Sequence, residues 1–122
     1  MITPSISEVR LCTELVANSN RCKENETVFP QDVDRVFMSI EVVSAPKNTL
    51  LTVDWYQVVD QQSVLLTQDN IPPISQSELH SKIYYTFLDR ADNNPWPIGT
   101  YEVVITSNLD EIPKKTVNFE IE

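Results

Sequence analysis

Six short stretches of this chain alternate apolar and polar residues with a period of two, and that rhythm constrains the fold more than any other feature. Val9, Leu11, Thr13 and Leu15 alternate with Glu8, Arg10, Cys12 and Glu14, and Val36, Met38, Ile40 and Val42 repeat the pattern. So do Leu51, Val53 and Trp55, then Ile83, Tyr85 and Phe87, then Tyr101, Val103 and Ile105, and finally Val117, Phe119 and Ile121. A weaker segment runs from Ser63 to Gln68, where Val64, Leu65 and Leu66 are contiguous. Alternation sends successive side chains to opposite faces, so each segment is a strand with one face to bury. The first strand is expected over 5–16, with Cys12 on the face opposite Leu11.

Breakers separate these segments: Pro30, Ala45-Pro46-Lys47-Asn48, Asn70-Ile71-Pro72-Pro73, Asp92-Asn93-Asn94-Pro95 and Ile112-Pro113. Proline cannot donate to a central ladder, so its position marks the strand ends independently of hydrophobicity. Helical spacing extends no further than a turn or two around Ile74 to Leu79. With 122 residues and 41% hydrophobic content there is material for one core. The expectation is a single all-β domain over 1–122, an antiparallel two-sheet sandwich of about seven strands.

Gly99 is the sole glycine. It stands in Trp96-Pro97-Ile98-Gly99-Thr100-Tyr101, where a tight corner feeds the strand carrying Tyr101, Val103 and Ile105. One glycine also excludes chemistry. Phosphate-cradling loops, the dinucleotide fingerprint and the nucleophile elbow each need at least two. His80 is the sole histidine, placed among Ser77, Glu78 and Ser81, and reads as a solvent-facing loop residue. No catalytic group and no cofactor are assigned, and the chain is read as a non-enzyme.

Eighteen acidic and nine basic residues give a net charge of −9, spread evenly along the chain. Such a surface repels phosphate backbones and anionic lipid, so nucleic acid is not an expected partner. No apolar run approaches the ~18 residues of a membrane helix, and the first twenty residues lack the pattern of a signal peptide. Cys12 and Cys22 flank the turn-forming Asn18-Ser19-Asn20. Either they form a short-loop disulfide, which suits an oxidising compartment, or they are two reduced thiols in the cytosol.

A strand centred on Ile40, Trp55 in the next strand and the corner Gly99-x-Tyr101-x-Val103 together resemble the immunoglobulin-like β-sandwich superfamily. The resemblance implies that Ile40 and Val103 occupy the positions of the usual inter-sheet cysteines, so the core disulfide is lacking. It also implies structural roles for Trp55, Gly99 and Tyr101, the tyrosine hydroxyl bonding back to its own loop. The Trp-Pro-x-Gly-x-Tyr corner is similar to that of small bacterial envelope domains appended to secreted proteins and lipoproteins. That implies an extracytoplasmic setting, with the cytoplasm as the alternative.

Three candidate sites follow from the residues. Tyr56, Val58 and Val104, on the reverse faces of neighbouring strands and rimmed by Asp54 and Glu102, have the composition of a small protein-binding patch. Trp96, between two prolines, either caps the end of the sandwich or stands exposed as a platform for carbohydrate or another small ligand, together with Tyr84 or Tyr56. Asp89, Asp92 and Asn94 gather oxygen ligands in one loop, a weak match to calcium that ordinary turn chemistry explains as well. The reading carried forward is a non-catalytic binding or structural module with an unidentified protein partner. Carbohydrate or small-ligand binding through Trp96 is the alternative.

Overall fold

The computed structural model describes residues 3–73, 81–92 and 94–122. Eight strands run in chain order: β1 Ser5–Cys12, β2 Val28–Phe29, β3 Arg35–Val43, β4 Leu51–Val59, β5 Gln62–Ile71, β6 Ser81–Asp89, β7 Gly99–Ser107 and β8 Lys115–Ile121. No helix occurs among the described residues. The strands form a three-stranded sheet, β1-β3-β6, and a five-stranded sheet, β2-β8-β7-β4-β5. All pairings are antiparallel except the short parallel contact of β2 with β8.

The alternating segments bury the faces that their rhythm assigns, with one exception. Val36, Met38, Ile40 and Val42 of the small sheet pack against Leu51, Val53, Trp55, Tyr101, Val103, Ile105, Phe119 and Ile121 of the large one. Ile40 and Val103 are both fully buried. An aromatic string stiffens this core. Tyr101 stacks on Phe119 with centroids 5.0 Å apart, and Phe119 meets Phe29 and Trp55 edge-on.

The exception is β6. The sequence rhythm buries Ile83, Tyr85 and Phe87, but the register turns them outward, where Tyr85 and Phe87 are exposed. Tyr84, Thr86 and Leu88 face inward, opposite Ile40, Met38 and Val36, while Lys82 at the strand's start shares that phase but is exposed. Both phases of 82–88 carry bulky apolar residues, so period two alone does not choose between them. The unambiguous phase of β3 decides, because β6 must follow its partner in register.

Two further differences concern the chain before β3. The strand expected over 5–16 stops at Cys12, because Cys12 is disulfide-bonded to Cys22 across a Cα separation of 5.7 Å and Leu15 turns back to bridge Cys22. The loop so formed lies over the outer face of β1 and β3. The Cys22 amide donates to the Ser39 hydroxyl at 3.0 Å, and both sulfurs are buried. This explains how Leu11 and Cys12, on opposite faces, are both covered. The second difference is β2, two residues long and too short to show a rhythm.

With one glycine, other residues take the left-handed conformations. Asn18, Ser44, Asn48, Asp60, Gln61 and Asp92 all have positive φ, and Asp60-Gln61 form the two-residue hairpin joining β4 to β5. Gly99 itself has φ +141°, inside the region that glycine alone enters without strain.

Candidate functional site

The outer face of the three-stranded sheet carries a ladder of aromatic rings that the sequence did not disclose. Phe37 on β3 lies directly opposite Phe87 on β6, and Ser39 opposite Tyr85. Phe37 lies 6.1 Å from Phe87 and 6.3 Å from Tyr85, while Tyr85 and Phe87 stack at 6.5 Å. Arg35 closes one end. Its guanidinium sits 3.9 Å above the Phe87 ring and 5.6 Å from Phe37, and it holds both carboxylate oxygens of Asp89. The hydrogen bond and charge of Asp89 hold the guanidinium above its ordinary pKa.

The far end of this face is polar. Glu41 accepts hydrogen bonds from the Ser7 hydroxyl at 2.5 Å and from Arg21 at 2.7 Å. The Ser7 bond, and after it the Arg21 charge, keep its carboxyl below the usual carboxylate range. Arg21 comes from the disulfide loop, and Asn20 of that loop donates to the Ile83 carbonyl at 3.2 Å. The disulfide thus positions a polar shoulder beside the rings. A signal for this face existed in the sequence: Phe37 is an aromatic residue on the phase of β3 otherwise occupied by Arg35, Ser39 and Glu41.

The other predicted residues are placed as follows. Tyr56, Val58 and Val104 share the outer face of the five-stranded sheet, half-buried, with Tyr56 opposite Glu102 and Val104 opposite Asp54. Exposed Leu65 of β5 joins them opposite Tyr56. Their rim is tied up in neighbouring hydrogen bonds, Gln68 to Asp54 at 2.7 Å and Ser63 to Glu102 at 3.4 Å. Trp55 is buried, and its indole donates to Asp69 at 3.1 Å.

Trp96 is not an exposed platform. It is 5% exposed, packs edge-on against Tyr101 and donates its indole N–H to the Val33 carbonyl at 2.6 Å. Gln31 clamps its backbone from both sides. Tyr84 faces inward from β6 and Tyr56 outward from β4, so the three aromatics proposed for a sugar do not share a surface. The Tyr101 hydroxyl donates to the Pro97 carbonyl at 2.7 Å, and burial pushes its pKa up.

Asp89 points its oxygens at Arg35 rather than into a loop shared with Asp92 and Asn94. Among the described residues no group of three or more His, Cys, Asp or Glu is arranged to hold a metal ion. His80 and the segment 74–79 lie outside the described residues. No helix among the described residues is long and apolar enough to cross a membrane.

No protein-family model matches the chain, and no curated protein matches it in sequence. Solved structures do match in shape. The alkylpurine DNA glycosylase AlkC of Pseudomonas fluorescens, bound to DNA with an abasic-site analogue, is similar at a TM-score of 0.62 and 11% identity over 98% of this chain. A Niemann-Pick type C2 protein from the Japanese carpenter ant is similar at 0.56 and 7% identity over 99%. The β-glucosidase EmGH1 of Erythrobacter marinus is similar at 0.57 and 7% identity over 98%. The chain spans 30% of the glycosylase and 15% of the glucosidase, but 94% of the ant protein. At these identities the likeness is one of fold alone.

Proposed function

We propose that this chain is a non-catalytic, immunoglobulin-like module that docks a protein partner on the outer face of its three-stranded sheet. The observation that carries the reading is the ladder of half-buried Phe37 with exposed Tyr85 and Phe87, and Arg35 stacked on it. Aromatic residues and arginine are the types enriched where protein interfaces concentrate their energy, and here they stand pre-ordered by one another. The net charge of −9 favours a partner that is apolar at the centre of its contact and basic at its rim.

The strand order supports the immunoglobulin-like assignment. Taken in sequence, β1-β3-β6 and β8-β7-β4-β5 correspond to the A-B-E and G-F-C-C′ arrangement of that class, with Trp55 on the third of those strands. The disulfide supports an extracytoplasmic setting. That the same shape makes up a small part of two large enzymes and almost all of a small protein fits a portable module. Sugar binding through Trp96 has less support, since its ring is buried and its N–H already engaged.

Photo-crosslinking in cells that produce the protein tests the proposal. A benzophenone side chain at position 85 is expected to give one discrete protein adduct, lost on Phe87→Ser, while the same group at position 56 gives none. An adduct from position 56 and none from position 85 would move the interface to the five-stranded face and overturn the reading.

A further inference from the structure

Where the Trp96 corner closes one end of the molecule, a cavity of about 300 Å³ opens beside β5 and β6. Leu66, Leu88, Trp96, Pro97 and Tyr101 supply its apolar walls. The two aromatic residues offer it only carbon, because the Trp96 N–H is committed to Val33 and the Tyr101 hydroxyl to Pro97. An apolar body is matched here better than a sugar ring, which needs polar partners around its edge.

Arg90 gives this cavity a polar pole. It belongs to the lining, where it is the only basic residue. The residue is anchored from outside, Nη2 donating to Asp34 at 2.9 Å and the backbone N–H to the Asp34 carbonyl at 2.8 Å. Asp34 is 89% exposed, so water screens this pair and it fixes the guanidinium without satisfying it. The one acid in the lining, Asp89, is held by Arg35. Arg90 is the one cation in the lining, and a fifth of its side chain is accessible, so a ligand carboxylate has a single charged partner here.

The geometry points to a binding site for a small amphipathic monocarboxylate, its carboxylate on Arg90 and its hydrocarbon among Leu66, Leu88 and Trp96. A chain of about eight to ten carbons matches a space of this size at the packing density of protein interiors. The site is separate from the aromatic face of the three-stranded sheet, and it stands or falls independently of the protein-docking reading.

Octanoate titrated into the full chain, followed by tryptophan fluorescence and amide NMR shifts, tests the assignment. Saturable binding is expected, with shifts centred on Leu66, Leu88 and Trp96, and octanol is expected to bind about tenfold more weakly or less. Arg90→Met keeps the apolar stem and should reduce octanoate to the level of octanol. Leu66→Trp, on an edge-strand residue that is 42% exposed, fills the space and should abolish binding of both, the melting temperature of each variant confirming that it folds. Equal binding of acid and alcohol, shifts elsewhere, no binding, or binding that survives Leu66→Trp would each overturn the assignment.

Discussion

Thr86, on an edge strand of the three-stranded sheet, donates its hydroxyl hydrogen to the carboxylate of Asp69, on an edge strand of the five-stranded sheet. The same carboxylate oxygen accepts the Trp55 indole N–H. This one acceptor links the two sheets along the side where β5 and β6 have no further strand to pair with. Asp69→Ala leaves two donors without an acceptor, and urea denaturation should show a loss of about 2–3 kcal/mol. Asp69→Asn, which keeps an acceptor oxygen, should lose less. A change within about 0.5 kcal/mol for the alanine variant would show that the link is solvated.

Gly99→Ala isolates a purely conformational effect. A Cβ at this position meets no atom within 4 Å, so any loss comes from holding φ at +141°. Thermal unfolding should report a destabilisation of about 1–3 kcal/mol. An unchanged melting temperature would remove the corner from the account of the fold.

The disulfide should contribute about 3 kcal/mol through the short loop it closes. The paired substitution Cys12→Ser with Cys22→Ser is expected to lose that amount in chemical denaturation, and to release the Arg21 and Asn20 contacts from the sheet face. Full retention of stability by the double variant would contradict the role given to the loop.

Acid should weaken the protein partly through Glu41. Its folded pKa lies below the ordinary value of 4.5, so between the two values the unfolded chain binds more protons and stability falls as pH falls. The contribution is fully present above the unfolded value and disappears as pH drops through the folded one. Glu41→Gln has no such proton to take up, and its stability should decline less than that of the parent between about pH 6 and pH 3. Parallel curves would exclude Glu41 from the acid transition.

Much of the core was legible because β3, β4, β7 and β8 each have one phase that is plainly apolar. The corner was legible because a lone glycine beside a tyrosine marks both a backbone need and a hydroxyl to satisfy. β6 was not, since Tyr84 and Leu88 compete with Ile83, Tyr85 and Phe87 for the core and only the pairing with β3 decides. The aromatic face escaped the sequence for the same reason: it is assembled across strands, and Tyr85 and Phe87 read singly as core residues while Phe37 stood alone on the polar phase of β3. Tyr56, Val58 and Val104 were placed on one face because two neighbouring central strands keep their own phases. The cavity beside Arg90 has no sequence signature, because its walls come from β5, β6, β7 and the 94–97 loop.

The outward phase of β6 is the premise of the proposed docking face, and tyrosine nitration with peptide mapping tests it directly. Tyr85, 44% exposed, should react ahead of its neighbour Tyr84, which faces the core, and Tyr101, 1% exposed, should stay unmodified. Nitration of Tyr84 ahead of Tyr85 would reverse the register of β6 and dissolve the aromatic face.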